Sequence, residues 1–202
     1  MKNGGNKILL VCILLWSCDI ALLDDAETEK QCVTIFRDSM LKEINLVRTN
    51  PAVYAETRLK SVMETNTDNG SYLYLKRLTA VGAISFNDSL NKSASEYVMK
   101  LKDSLSHCFQ GTSLDRALIA GYSGTAIGEN IAAATPNSFN AMLNAEGAAI
   151  EFMKILIIDE GVKYSGHRLV ILNPKYKTAG VGYKRNTSGK YINYVVQIFG
   201  NR

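Results

Sequence analysis

Histidine is nearly missing from this 202-residue chain, which has only His107 and His167. Any imidazole chemistry must therefore pass through those two residues. Cysteine is scarce as well: of four, Cys12 and Cys18 lie in the first eighteen residues, leaving Cys32 and Cys108. Two thiols cannot staple a small scaffold, so a hydrophobic core must carry stability. Paired, they would close a long loop worth roughly 4 kcal/mol; unpaired, they are two buried thiols, and both readings stand. Several catalytic signatures are missing too. No G-x-S-x-G elbow, H-E-x-x-H, phosphate loop or C-x-x-C pair occurs, which removes the common sequence signals for serine hydrolases, zincins, nucleotide hydrolases and dithiol exchange. No repeat or low-complexity tract breaks the chain. The formal charge is only +4, with the basic residues scattered along the sequence, so nucleic-acid binding has no footprint. The 47% hydrophobic and 21% charged composition fits one globular domain with a sizeable core.

No apolar run is long enough to cross a bilayer. The longest at the N-terminus, ILLVCILLWSC, has eleven residues behind a basic MKNGGNK, the form of a secretory signal. Residues 1–18 read as that signal, with cleavage between 17 and 23 and secretion as the destination. Lipid attachment at Cys18 and a retained N-terminal anchor are the alternatives. Four N-x-S triplets, at Asn69, Asn87, Asn91 and Asn186, are glycosylation acceptors if a eukaryotic secretory pathway makes the protein.

Periodicity then gives the elements. Val33, Phe36, Met40, Ile44 and Val47 recur every three or four residues, which predicts an amphipathic helix over 29–49. Asn50-Pro51 stops it and starts another, Asn as the cap and Pro in the first turn. A polar break covers 66–72. A further helix begins near Asn87 or Asp88, with Leu90, Ala94, Tyr97 and Leu101 on one face. Residues 106–132 read as a glycine-bearing loop, and 140–158 as a largely buried helix. Strand-like runs follow at 178–184 and 191–199, joined by RNTSGK as a hairpin connection. Helices with a small, mainly antiparallel sheet imply an α+β fold.

Among polar residues in small or apolar surroundings, His107, His167, Glu129, Asp159 and Glu160 remain. Two neutral imidazoles and a carboxylate are a plausible zinc set. Each residue also has a plain structural reading: Glu129 as a cap, Asp159-Glu160 as a helix end. Cys108 follows His107 directly, and neighbours in an extended segment face opposite ways, so a Cys-His hydrolase pair is poorly placed. Gly128 and Gly166 are expected to resist substitution, as sharp turns that aim their neighbours.

INLVRTNPAVYA at 44–55, His107, GYSGTAIGENIA at 121–132, GHRLVILNPKYKTAGVGY at 166–183 and YVVQIFG at 194–200 together resemble the CAP superfamily. This groups cysteine-rich secretory proteins, antigen 5 and pathogenesis-related 1 proteins, and is also named for the SCP domain. The likeness covers about 38–200 and is nearest the microbial and protist branch. It implies a three-layer α-β-α sandwich with a central antiparallel sheet. It also implies a cleft with two histidines and two acids that can take zinc or another divalent cation. His107, Glu129 and His167 match three of the four. The fourth acid usually follows a tryptophan; here EFMKILIIDEG has none, so Glu160, or alternatively Asp159, takes its place. The chain lacks the several disulfides of animal and plant members and their cysteine-rich C-terminal module. The resemblance leaves two functions open: a secreted binder of a sterol, fatty acid or divalent metal, or a metal-assisted hydrolase using the same cleft; a monomer is expected, with a dimer as the alternative.

Overall fold

Phe36, Met40, Ile44 and Val47 are fully buried along one face of the first helix, α1 (Asp25–Thr49), as their spacing requires. The computed structural model describes residues 25–65, 70–135, 141–159 and 166–202. The expected signal segment, Asn69 and Glu160 lie outside them. After α1, Pro51 opens α2 (Pro51–Tyr54), which continues as a π-helical turn (Ala55–Leu59) into α3 (Lys60–Thr65). There follow α4 (Gly70–Arg77), β1 (Ser85–Phe86), α5 (Asp88–Val98) and α6 (Ser113–Ile119). The chain then forms β2 (Ile127–Ala134), α7 (Ala145–Ile158), α8 (Gly166–Ile171), β3 (Thr178–Arg185) and β4 (Asn193–Gly200).

The sheet order is β1-β3-β4-β2. β4 pairs antiparallel with both β3 and β2, while the two residues of β1 pair parallel with Thr178 and Ala179. β2 is therefore an edge strand. Strand alternation divides the core. Ala179, Val181 and Tyr183 of β3 and Val195 and Phe199 of β4 face the layer of α1 and α7. Tyr194, Val196 and Ile198 face α5 and α6. Phe36 meets Phe152 edge-to-face at 5.9 Å and Tyr183 at 4.5 Å, which joins α1, α7 and the sheet. This is the expected α-β-α sandwich.

Three sequence expectations change. The glycine-bearing loop 106–132 contains α6 and most of β2. α6 is announced by a capping box: Thr112 accepts from Asp115 N, and the Asp115 carboxylate accepts from Thr112 N. That T-x-x-D signal was available in the sequence. β2 carried no such signal, because IGENIAAA is buried on both faces apart from three half-exposed residues and so shows no alternation.

Cys32 and Cys108 are free. Cys32 lies on α1 and donates to Met142 O at 3.8 Å. Cys108 is exposed beside Phe109, whose N–H is held by Tyr97 of α5. The two thiols belong to opposite layers of the sandwich, which rules out a bridge in this fold.

Asn91 is a poor glycan acceptor. It is 6% exposed, and its Oδ1 accepts from Val181 N at 3.0 Å. β1 pairs only as far as Ala179, so this side chain serves a β3 amide that β1 is too short to reach. Asn87 is the N-cap of α5, accepting from Leu90 N. Asn186 sits in the β3–β4 connection, half-buried.

Gly128 and Gly166 also change their meaning, since neither has a positive φ. A Cβ at Gly128 would meet Tyr176 Oη at 2.7 Å and Val170 Cγ1 at 2.8 Å, whereas at Gly166 nothing among the described residues lies within 4 Å. Gly128→Ala is expected to cost about 1–3 kcal/mol through overpacking. Gly166→Ala, in the first turn of α8, is expected to be neutral or to gain up to about 1 kcal/mol. Thermal denaturation of the two variants measures the contrast, and an equal loss in both would contradict it.

Candidate functional site

Both histidines end up against β2, the edge strand. His107, in the loop after α5, places Nδ1 3.0 Å from Glu129 Oε1. The other oxygen of Glu129 accepts from Arg116 Nη2 at 2.5 Å. Arg116 comes from α6, and its other guanidinium nitrogen, Nη1, donates to the carbonyls of His107 and Gly111 at 3.2 and 2.7 Å. Its guanidinium also lies 3.5 Å from the centre of the Tyr97 ring. The Glu129 side chain is 3% exposed while that of His107 is 50% exposed. Glu129 is thus a buried acceptor with both oxygens engaged. It fixes the ring and leaves His107 Nε2 directed elsewhere.

His167 is held in a parallel way. Asp159 ends α7 in the left-handed region, φ 59°, a conformation that Asp adopts more readily than most residues. The turn aims its carboxylate at the start of α8. Oδ1 lies 2.7 Å from His167 Nδ1, and Oδ2 accepts from His167 N at 2.9 Å and Arg168 N at 3.3 Å. The Asp159 side chain is fully buried and that of His167 is 21% exposed. Of the two acids considered for the fourth position, Asp159 makes this contact. Its plain reading, as a helix end, holds at the same time.

Asn130 links the second pair to the same strand. Its Nδ2 donates to His167 O at 3.2 Å and to Gln197 Oε1 at 3.1 Å. Gln197 Nε2 in turn reaches the sulfurs of Met40 and Met153. Asn130 and Gln197 are cross-strand partners in the β2–β4 register. Histidines sixty positions apart are therefore tied to adjacent residues of one strand. Because successive strand residues face opposite ways, the Glu129 side chain turns toward Arg116 of α6 and the Asn130 side chain toward Gln197 and the layer of α1 and α7, where it meets the backbone of His167 rather than its ring.

Among the described residues, no three His, Cys, Asp or Glu side chains form a group that could hold a metal ion. The arrangement offers two imidazoles, each with Nδ1 facing a buried carboxylate. A carboxylate on the second ring nitrogen is the usual outer partner of a metal-binding histidine. Arg116, Asn130 and Gln197 were not foreseen. They position the pairs, and no local signal in the sequence marks them.

No described helix is long and apolar enough to cross a membrane. A sequence model described as “CAP: Cysteine-rich secretory protein family” matches residues 41–199. No curated protein matches the chain significantly by sequence. Among solved structures, the chain is similar to an extracellular SCP-domain protein of Bacillus anthracis, with 19% identity and a TM-score of 0.50 over 86% of this chain. It spans only 42% of that protein's length. An outer surface protein of Borrelia burgdorferi shows 17% identity and a TM-score of 0.49, covering 89% of this chain and 96% of the other. NaASP2, crystallised with Zn2+, shows 12% identity and a TM-score of 0.42, covering 87% and 80%. At these identities the likeness concerns the fold alone, and for the last two it carries no argument about the site.

Proposed function

Because the chain belongs to the cysteine-rich secretory protein (CAP) family, we propose that it is an exported binding protein whose two carboxylate-oriented imidazoles hold a divalent cation, zinc above all. One observation carries this reading: both histidines have Nδ1 committed to a buried carboxylate, so both offer Nε2. Zinc accepts imidazole nitrogen readily and fills its remaining positions with water or a ligand. Bound there, it would supply Lewis acidity to that outer ligand. The residues fit a two-nitrogen donor set. Catalytic zinc centres take three protein ligands, and no third joins this pair among the described residues. Binding is therefore favoured over hydrolysis. A sterol or fatty acid is less well supported at this place. A mainly apolar cavity of about 230 Å³ lies instead against Leu101 and Phe109, below the roughly 300–1,000 Å³ usual for small-molecule sites. Export rests on residues 1–18 acting as a signal.

Calorimetric titration with zinc is the test. Wild type should bind one equivalent, and His107→Ala and His167→Ala should each weaken binding at least about tenfold. Neither ring fills the core, so both variants should keep the wild-type circular dichroism spectrum. Binding requires deprotonated imidazoles, so affinity should fall toward acid pH. Equal affinity in all three proteins would refute the site.

A further inference from the structure

Five of the 23 basic residues of the chain meet at one end of the fold. After α5 the chain runs Met99-Lys100-Leu101-Lys102-Asp103, and the β3–β4 connection supplies Lys184, Arg185 and Lys190. These two stretches, 99–109 and 184–190, carry a net +4, equal to the formal charge of the whole chain; everything else is balanced. They are neighbours in space. A cavity of about 420 Å³ is lined by Met99, Leu101, Lys102 and Asp103 from the first and by Lys184 and residues 186–189 from the second. Lys184 lies beneath it, 8% exposed, donating to Leu101 O and resting over the Tyr194 ring at 4.8 Å. No carboxylate pairs with it in a salt bridge among the described residues. Burial, and then the neighbouring Lys102, lower its pKa.

The apolar cavity adjoins this one, sharing Leu101 and Lys102. On either side of that shared pair stand exposed large apolar side chains, Met99 at 65% and Phe109 at 52%. Cationic side chains interleaved with exposed apolar ones are suited to a charged interface over hydrocarbon. The ammonium groups stay at the headgroup level and the apolar side chains enter the acyl boundary. Nucleic acid would use the charge alone and leave Met99 without a role.

We propose that this end of the sandwich docks on an anionic phospholipid surface, with Lys100, Lys102, Arg185 and Lys190 against the headgroups and Met99 and Phe109 inserted. Phe109 shares the Arg116 guanidinium with His107, whereas Lys190 lies in the β3–β4 connection, so Lys190→Glu tests docking apart from zinc binding. Co-sedimentation with phosphatidylcholine vesicles containing about one-fifth phosphatidylserine tests it. The protein should pellet with these vesicles, not with phosphatidylcholine alone, and should be released as salt rises from about 0.05 to 0.5 M. Lys100→Glu/Lys102→Glu should bind at least about tenfold less, as should Met99→Ser/Phe109→Ser. Lys190→Glu, on the other stretch, supplies a second charge variant should the first pair disturb the loop. Equal pelleting with neutral vesicles, or wild-type binding by the charge-reversed or serine variants, would overturn the proposal. So would displacement from the vesicles by a single-stranded oligonucleotide at equimolar phosphate.

Discussion

Replacing Arg48 by methionine is expected to remove about 3–5 kcal/mol of stability. Arg48 is 0% exposed. Its Nε donates to Gly82 O at 2.8 Å, Nη1 to Ile171 O at 2.6 Å and Asn173 O at 3.1 Å, and Nη2 to Tyr176 O at 3.1 Å. Among the described residues no carboxylate pairs with it, and burial draws its pKa below the ordinary value. The guanidinium therefore pins three segments to the end of α1: the approach to β1, the end of α8 and the Asn-Pro turn. Methionine would match the bulk, strip the donor from the buried carbonyls of Ile171 and Tyr176 and remove the part-buried bonds to Gly82 and Asn173. Lysine would keep the charge but cannot present a planar fork in three directions, so Arg48→Lys should also be clearly destabilised. Because α8 carries His167, local loosening should weaken zinc binding in either variant before the protein unfolds. Chemical denaturation gives the first effect; a midpoint unchanged in Arg48→Met would contradict it.

The second large effect lies at the contact between α5 and the sheet. Gly180→Ala and Gly182→Ala are each expected to cost about 3 kcal/mol, the upper end for overpacking, or roughly 6–12 °C in melting temperature for a chain of this length. A Cβ on Gly180 would stand 2.0 Å from Leu90 C and 2.3 Å from Asn91 N, and one on Gly182 would stand 2.3 Å from Ala94 O. The obstructing atoms are backbone, which no rotamer change can clear. The pairing follows from the two periods: residues two apart on a strand meet residues four apart on a helix. Moving α5 outward would also break the Asn91–Val181 hydrogen bond. Melting temperatures within 2 °C of wild type (about 1 kcal/mol or less) would show that the helix does not sit this close.

These two sites show what the sequence could and could not disclose. The helix over 29–49, the start of α5 and the hairpin strands were legible because each buries one face and exposes another, a pattern written in residue order. Arg48, Gly180 and Gly182 were visible inside the quoted motifs, yet their roles depend on which backbone arrives opposite them. Asn45 is a similar case, exchanging two hydrogen bonds with the backbone of Ile84. In the site, the residue types were legible and the grouping was not. Glu129 was read as one of a set with both histidines; its direct partners are His107 and Arg116 of α6, and no spacing in the sequence marks that arginine. The contact of Asp159 with His167 depends on a left-handed residue at the helix end, which the sequence does not mark, and Glu160 lies outside the described residues. The basic end was missed because its charges lie some eighty residues apart and meet only through the sheet.

The central claim is that both imidazoles present Nε2, with Nδ1 held by a carboxylate. Nitrogen-15 spectra of the imidazole rings, recorded before and during zinc addition, test it most directly, and a chain with only two histidines makes the assignment simple. The account predicts Nδ1–H tautomers at both rings without metal and a zinc-induced shift of both Nε2 resonances together. A shift confined to one ring, or one located at Nδ1, would contradict it.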